Sequence, residues 1–165
     1  MTDLTHDELL GLLDYNPQTG VFKWKVRTSL RIHVGDVAGC PDNRGYVTIC
    51  IKYKQYWAHR LAWFYVHGRW PAEEIDHRFG VRADTRIKNL REASSQENKH
   101  NIRKPPAHNT SGFLGVSLNS SGRKWRAGIR LNRKNKHLGV FDTKEQASAA
   151  YLAAKARLHP FAMRG

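Results

Sequence analysis

The stretch Glu74–Asn101, EIDHRFGVRADTRIKNLREASSQENKHN, decides the fold that we predict for the middle of this 165-residue chain. Ile75 precedes an Asp-His pair, and residues 90–93 follow the intervening loop, so two short strands are predicted. Ser94 and Glu97 have the S-x-x-E spacing of a capping box, which indicates that a helix starts at Ser94. We expect the order strand, loop, strand, helix to bring polar side chains together around one point.

The polar residues of this stretch have the chemistry of a site for a hard divalent metal ion. Asp76 offers an anionic oxygen and Asn98 a neutral carbonyl oxygen, a ligand set suited to Mg²⁺, Mn²⁺ or Ca²⁺. Adjacent residues of a strand point in different directions, so His77 is expected to act as a base on water rather than as a ligand. Asn89 is expected to accept the other ring N–H of His77 and to fix its tautomer. A lone Asp-His pair is more often a surface or capping feature, so the interpretation rests on all four positions together.

The stretch resembles the HNH nuclease motif, in the version found in phage and intron-encoded homing endonucleases, where an Asn replaces the last His. The matched pieces are Asp76-His77, Asn89-Leu90-Arg91, Asn98 in an S-x-x-x-N segment, and His59-Arg60-Leu61-Ala62-Trp63 upstream. The resemblance implies a ββα-metal fold, with Asp76 and Asn98 as metal ligands. It also implies that His77 is the general base and that Asn89 orients it. The loop after the Asp-His pair is usually Asn-rich, whereas this chain carries Val81 and Thr85 there.

The chain before this motif is expected to form a small α/β lead-in. Thr5 is predicted to cap a short helix, and a second helix at 59–67 is predicted to end at Gly68. Strands are predicted at 21–24, 46–51 and 55–58. The last two are expected to form a hairpin that turns at Tyr53 and Lys54.

Charge is the dominant feature of the composition and points to a polyanionic partner. The chain has 28 Lys+Arg against 14 Asp+Glu, a net charge of +14 and a pI of about 10.2. Residues 1–58 carry 7 basic and 6 acidic side chains, residues 59–108 carry 10 and 6, and residues 109–165 carry 11 and 2. Basic residues that only keep a protein in solution would be spread evenly. The gradient therefore favours a nucleic-acid-binding module at the C-terminus.

The C-terminal portion predicts a three-stranded sheet packed on one helix. Strands are expected near 113–118, 125–131 and 137–141, followed by a helix at 144–158 that Asp142 or Thr143 caps. Along the middle strand, Trp125, Ala127, Ile129 and Leu131 alternate with Arg126, Gly128 and Arg130. The first set is expected to pack on helix alanines, which leaves a basic face open to the DNA major groove.

This portion resembles the Apetala (ethylene-response-factor) DNA-binding domain. The matched pieces are Gly115-Val116, Lys124-Trp125-Arg126-Ala127, Ile129-Arg130, Leu138-Gly139 and Phe141-Asp142-Thr143, with Glu145, Ala147, Ala150 and Tyr151 after them. The resemblance implies DNA binding through the sheet. The predicted DNA-binding residues are Lys124, Arg126, Arg130, Arg133, Lys134, Lys136 and His137. The plainer alternative is an ordinary solvated basic sheet, but seven Lys/Arg and no acid from Arg123 to Lys136 argue against it.

Together these features predict an α+β protein: an N-terminal lead-in (1–58) packed on the nuclease, a ββα-metal HNH core (59–103), a linker (104–111) and an Apetala-type domain (112–160). We expect a metal-dependent DNA endonuclease that uses Mg²⁺ or Mn²⁺ and acts on double-stranded DNA. The alternative is a sequence-specific DNA-binding protein whose nuclease site has decayed. All four key positions are intact, which argues against decay.

Other features of the sequence bear on cofactors and location. Cys40 and Cys50 form no paired zinc spacing, so no structural zinc is expected. No apolar run approaches a membrane span, and Met1 to Gly20 has no basic-then-apolar signal layout. A cytoplasmic protein is therefore expected, in the host cytoplasm if a phage encodes it. The small size and single predicted active site favour a monomer.

Overall fold

The computed structural model describes residues 4–101, 105–131, 134–159 and 161. Those residues form a mixed α+β structure with four α-helices and several small antiparallel sheets. The chain divides into two compact units, Met1–Ser95 and Gln96–Gly165. None of the described helices is both long enough and apolar enough to cross a bilayer.

The first unit begins with a capped helix and a short hairpin. Helix α1 (His6–Leu12) starts as predicted, because the Thr5 hydroxyl accepts from the backbone N–H of Glu8 and the Glu8 carboxylate accepts from the Thr5 N–H. Strands β1 (Leu13–Tyr15) and β2 (Phe22–Trp24) then pair antiparallel. Their alternating residues point into the core, as the buried, exposed, buried pattern of both strands requires.

A three-stranded sheet and a helix follow. The sheet contains β3 (Cys40–Pro41), β4 (Val47–Ile51) and β5 (Lys54–Trp57) in that order. The predicted turn position was wrong by one residue, because Lys54 pairs with Ile51 and the loop is Lys52–Tyr53. Both loop residues have positive φ, 49° and 64°, as a two-residue hairpin of this kind demands. Helix α2 (Ala58–His67) runs on from β5 and ends at Gly68, whose φ of 67° gives the expected left-handed cap.

The segment quoted from the sequence forms the elements that its pattern predicts. Strand β6 (Glu74–His77) pairs antiparallel with β7 (Leu90–Ala93), and a 3₁₀ turn (Ile87–Asn89) precedes β7. Helix α3 (Ser95–His100) begins one residue after the predicted cap, Ser94. Arg60 on α2 donates to the backbone oxygens of Glu73 and Pro71, which fastens α2 to the segment that enters β6.

One hydrophobic core holds the first unit together. Leu9, Leu13 and Leu61 are fully buried, and residues of β2, β4, β6 and β7 pack in the same cluster. The lead-in and the start of the motif therefore share a core, so burial of the lead-in helps to stabilise β6.

The second unit is a sheet packed on one helix, as predicted. Its strands, in the order β10-β9-β8, are β8 (Val116–Leu118), β9 (Trp125–Leu131) and β10 (Lys134–Phe141). Helix α4 (Lys144–Leu158) has the predicted bounds, and Thr143 is the cap, in a capping box with Gln146. The core includes Ala127 and Ala147, both fully buried, so the small side chains let helix and sheet approach closely.

A glycine makes one close approach possible in this unit. Gly115 has φ +68°, and a Cβ there would lie 2.1 Å from the Tyr151 ring and 2.7 Å from the Gly128 oxygen. Any side chain at position 115 would therefore displace Tyr151 from the sheet.

Candidate active site

The Asp-His pair lies on a buried strand, with its carboxylate in an ion pair. On β6 only Glu74 is exposed, whereas Ile75, Asp76 and His77 are buried. Arg91 lies directly opposite Asp76 on β7. Its Nε donates to Asp76 Oδ2 at 2.9 Å, and its Nη2 lies 2.8 Å from the same oxygen. The cross-strand guanidinium thus compensates the buried charge of Asp76 and fixes its orientation.

His77 is buried beside two aromatic rings. Its ring centroid lies 5.0 Å from that of His59, in edge-on geometry, and 5.8 Å from that of Tyr46. Burial lowers the pKa of His77 below its ordinary value, and this effect outweighs the opposing influence of the Asp76 and Asp84 carboxylates. The His77 imidazole is therefore neutral near pH 7, which is the form that can accept a proton.

His59 is a second buried imidazole beside the first. It is 8% exposed, and burial lowers its pKa to about 3, with the nearby His77 and Arg60 adding to the effect. No described residue hydrogen-bonds to its buried Nδ1. His59 stacks on Trp57 at 6.0 Å between centroids and lies 5.5 Å from Tyr46. Its place in the structure is that of a neutral packing residue against His77.

The Asn89 side chain hydrogen-bonds to the backbone of the loop after β6. It is fully buried; its Oδ1 accepts from the Phe79 N–H at 3.0 Å and its Nδ2 donates to the Asp84 oxygen at 2.9 Å. The expected hydrogen bond from the His77 ring to Asn89 stays a prediction, and the described hydrogen bonds of the Asn89 side chain go to the loop backbone. Because the Asn89 backbone oxygen also accepts from the Arg78 N–H, Asn89 fixes the start of the loop that leaves His77.

The same loop is anchored at its far end to the N-terminal hairpin. Thr85 is buried; its hydroxyl donates to the Gly20 oxygen at 2.6 Å, and its own backbone oxygen accepts from the Tyr15 hydroxyl at 2.6 Å. A Cβ on Gly20 would lie 2.7 Å from the Arg86 nitrogen, so only glycine allows this contact. Thr85 therefore shapes the loop, and the lead-in residues help to hold the site.

The predicted metal ligands fit a hard ion by their chemistry. Asp76 supplies a carboxylate and Asn98, half-buried on α3, supplies an amide oxygen, both preferred by Mg²⁺. Within the described ranges, no three His, Cys, Asp or Glu side chains cluster closely enough to hold a metal ion. Of the two predicted ligands, only Asp76 is one of these four residue types, because the other ligand is Asn98.

The predicted DNA-binding residues of the second unit fall on two faces of its sheet. Arg126 and Arg130 are exposed on β9, and His137 lies opposite Gly128, between them on the same face. The register sets Lys134 opposite Leu131 and Lys136 opposite Ile129, so these two lysines project from the other face of the sheet. Lys124, another predicted DNA-binding residue, forms an ion pair with Asp142 at 3.0 Å. Arg133 lies outside the described residues.

Comparison with known proteins identifies the middle of the chain. Residues 56–100 match the family model of HNH endonucleases. The matched segment runs from the end of β5 through α3 and contains Asp76, His77, Asn89 and Asn98. It covers somewhat more than a quarter of the chain. No curated protein and no solved structure matches the chain. Residues 56–100 are therefore similar to HNH endonucleases, which suggests nuclease activity.

Three residues near the pair were not assigned a role from the sequence. The Arg91 ion pair follows from strand register, since Asp76 and Arg91 become partners once β6 and β7 are aligned. Tyr46 comes from a different sheet, and no local pattern links it to His77. His59 is matched from the sequence only as part of the upstream segment of the motif, and it is buried against His77.

Proposed function

We propose that the protein is a metal-dependent HNH endonuclease of the homing type, which hydrolyses phosphodiester bonds of double-stranded DNA. The observation that carries the proposal is His77: a buried, neutral imidazole beside a carboxylate, within the segment that matches HNH endonucleases. The homing type is supported by Asn98 at the place of the last His of the motif.

His77 is the general base of the proposed reaction. A neutral imidazole accepts a proton from the water that attacks phosphorus, and such a step typically contributes 10²–10⁴-fold to the rate, roughly. The rings of His59 and Tyr46 restrict the tilt of the His77 ring. Asn89 contributes indirectly, because it holds the backbone from Arg78 to Asp84 that leaves the base.

Asp76 and Asn98 are the proposed metal ligands, and Arg91 is the residue that orients the first of them. A bound Mg²⁺ or Mn²⁺ would offset negative charge on the leaving oxygen. Arg91 contacts Asp76 at Oδ2 through both Nε and Nη2, which aligns the carboxylate. The strength of this ion pair sets how firmly the ligand is held before DNA and metal arrive.

The second unit is proposed to bind DNA through the face that carries Arg126, Arg130 and His137. That proposal is supported by the charge of residues 109–165, with 11 basic and 2 acidic side chains, and by the exposure of both arginines. Phosphate contacts from such a face would position the protein, and base contacts in the major groove would give it sequence preference.

The activity is tested by incubating the purified protein with supercoiled plasmid and Mg²⁺ or Mn²⁺. Nicked or linear product that EDTA suppresses is the expected result. One observation favours the alternative of a DNA-binding protein without cleavage, namely that Arg91 occupies an oxygen of Asp76. DNA binding with no metal-dependent cleavage under any of these conditions would favour that alternative.

A further inference from the structure

Two arginines from separate loops lie on one tyrosine ring in the first unit. Arg44, between β3 and β4, has its guanidinium carbon 6.0 Å from the Tyr46 centroid and 5.2 Å from that of Trp57. Arg82, in the loop after β6, has its guanidinium carbon 5.0 Å from the same Tyr46 centroid. Arg82 Nη1 also donates to the Arg44 backbone oxygen at 3.0 Å, so the two loops are joined.

Arg44 has a carboxylate partner in this arrangement, whereas Arg82 has none among the described residues. Asp42 accepts from Arg44 Nε at 3.2 Å, whereas no carboxylate in the described part of the chain forms an ion pair with Arg82. Both guanidinium carbons lie within 6.0 Å of the Tyr46 centroid, so an anion beside that ring would be attracted by both charges. A guanidinium that stacks on a ring keeps its N–H edge available for phosphate oxygens.

The position of the tyrosine places this charge next to the proposed base. The Tyr46 ring lies 5.8 Å from His77 and 5.5 Å from His59, and Trp57 stacks on His59. The positive charge of Arg82 also acts on the His77 imidazole, because it helps to lower the pKa of that ring. All of these residues belong to the unit Met1–Ser95.

We propose that Arg44 and Arg82 form a phosphate-binding pair that binds the DNA backbone beside His77. The rings of Tyr46 and Trp57 support the two guanidinium groups. The inference rests on the proposed function in taking DNA as the ligand. It goes further by naming the residues of the first unit that bring a phosphate to the base. Arginines that merely cover aromatic surface would leave the salt dependence of DNA binding unchanged.

The test compares full-length wild-type protein with Arg44→Gln/Arg82→Gln in binding to a short fluorescein-labelled duplex, with EDTA present so that no cleavage occurs. Each phosphate contact contributes about 0.9 to the slope of log affinity against log salt, so the double variant should lose roughly two units of slope. Its affinity at low salt should fall about ten-fold or more. Arg31→Gln removes an exposed arginine of the same unit, outside this pair, and should leave the slope unchanged.

Two further variants guard against an effect of misfolding. Arg44→Lys/Arg82→Lys keeps both charges and should recover most of the slope, whereas Arg82→Gln alone should lose about one unit. A wild-type slope in Arg44→Gln/Arg82→Gln would overturn the phosphate-binding pair, whether or not the protein cuts plasmid. A reduced slope in a protein that never cuts plasmid would support the pair and count against the nuclease proposal instead.

Discussion

Removing Arg91 is the most informative perturbation of the site's stability. Arg91→Met keeps the length and much of the apolar volume of the side chain but deletes the charge that faces Asp76. Both partners of this ion pair are nearly inaccessible, with 4% of Asp76 and 8% of Arg91 exposed. Asp76 would then remain buried without its cross-strand guanidinium.

The expected loss is a large share of the stability of the first unit. Two unit charges about 4 Å apart interact by roughly 4 kcal/mol at an effective dielectric of about 20. Removing one partner of a buried pair usually costs about 3–5 kcal/mol, out of a typical total of about 5–15 kcal/mol. We therefore expect the free energy of unfolding to fall by about 3 kcal/mol or more.

Urea denaturation followed by tryptophan fluorescence measures this loss. Four of the five tryptophans lie in the first unit, so the signal reports mainly on that unit. The matched control is Arg69→Met, since Arg69 pairs at 2.7 Å with Glu92, the neighbour of Arg91 on β7, but at an exposed site. That control should cost about 1 kcal/mol or less. Equal small losses in the two variants would refute the reasoning that burial makes the Asp76 pair important.

Two further predictions concern acid stability and the second unit. Burial lowers the pKa of His59 from 6.5 to about 3 in the folded protein. The contribution of neutral His59 to the free energy of unfolding is therefore complete above about pH 6.5 and is lost as the pH falls towards 3. At about pH 4.5 the loss should be near 3 kcal/mol, and His59→Leu should flatten the dependence of unfolding free energy on pH; parallel curves would contradict this. Arg126→Gln/Arg130→Gln should weaken DNA binding and lower its salt slope by about two units, measured by fluorescence anisotropy. Lys144→Gln, on α4, is the control. An equal effect of this control on DNA binding would contradict the proposal that the face of the sheet with Arg126 and Arg130 binds DNA.

Much of the local structure follows from the sequence because short-range physics determines it. The capping residues Thr5 and Thr143 satisfy exposed helix N–H groups, and both begin the helices predicted for them. Alternation along β9 sets which residues face α4, and its bounds match the prediction. The strands β6 and β7 also appear where apolar residues flank the loop.

The hairpin turn shows why register is harder to predict. A two-residue turn with positive φ usually contains Asn or Gly, whereas this chain has Lys52 and Tyr53 there. The register follows instead from burial, since Ile49 and Ile51 must both face the core. That requirement depends on the folded unit and is not visible in the turn residues.

The surroundings of the site depend on contacts between distant parts of the chain. The residue types predicted Asp76 and His77 as a pair, and the structure adds that Tyr46 and His59 enclose the imidazole. The sequence predicts that Asn89 contacts that ring, and the structure adds that its amide hydrogen-bonds to the loop backbone that precedes the 3₁₀ turn. Spacing along the sequence identifies the chemistry of a residue, whereas its partner is decided by the fold.

The central claim is that His77 performs the proton transfer, and the rate of plasmid cleavage by His77→Ala tests it most directly. We expect the rate to fall by about 10²–10⁴-fold, while DNA affinity changes by no more than a few-fold, because the imidazole acts on water and not on DNA. Added imidazole should restore part of the rate by entering the space that the substitution leaves. His33→Ala, at an exposed histidine that contacts Asp36, should cut like the wild type. Cleavage by His77→Ala at the wild-type rate would contradict the account.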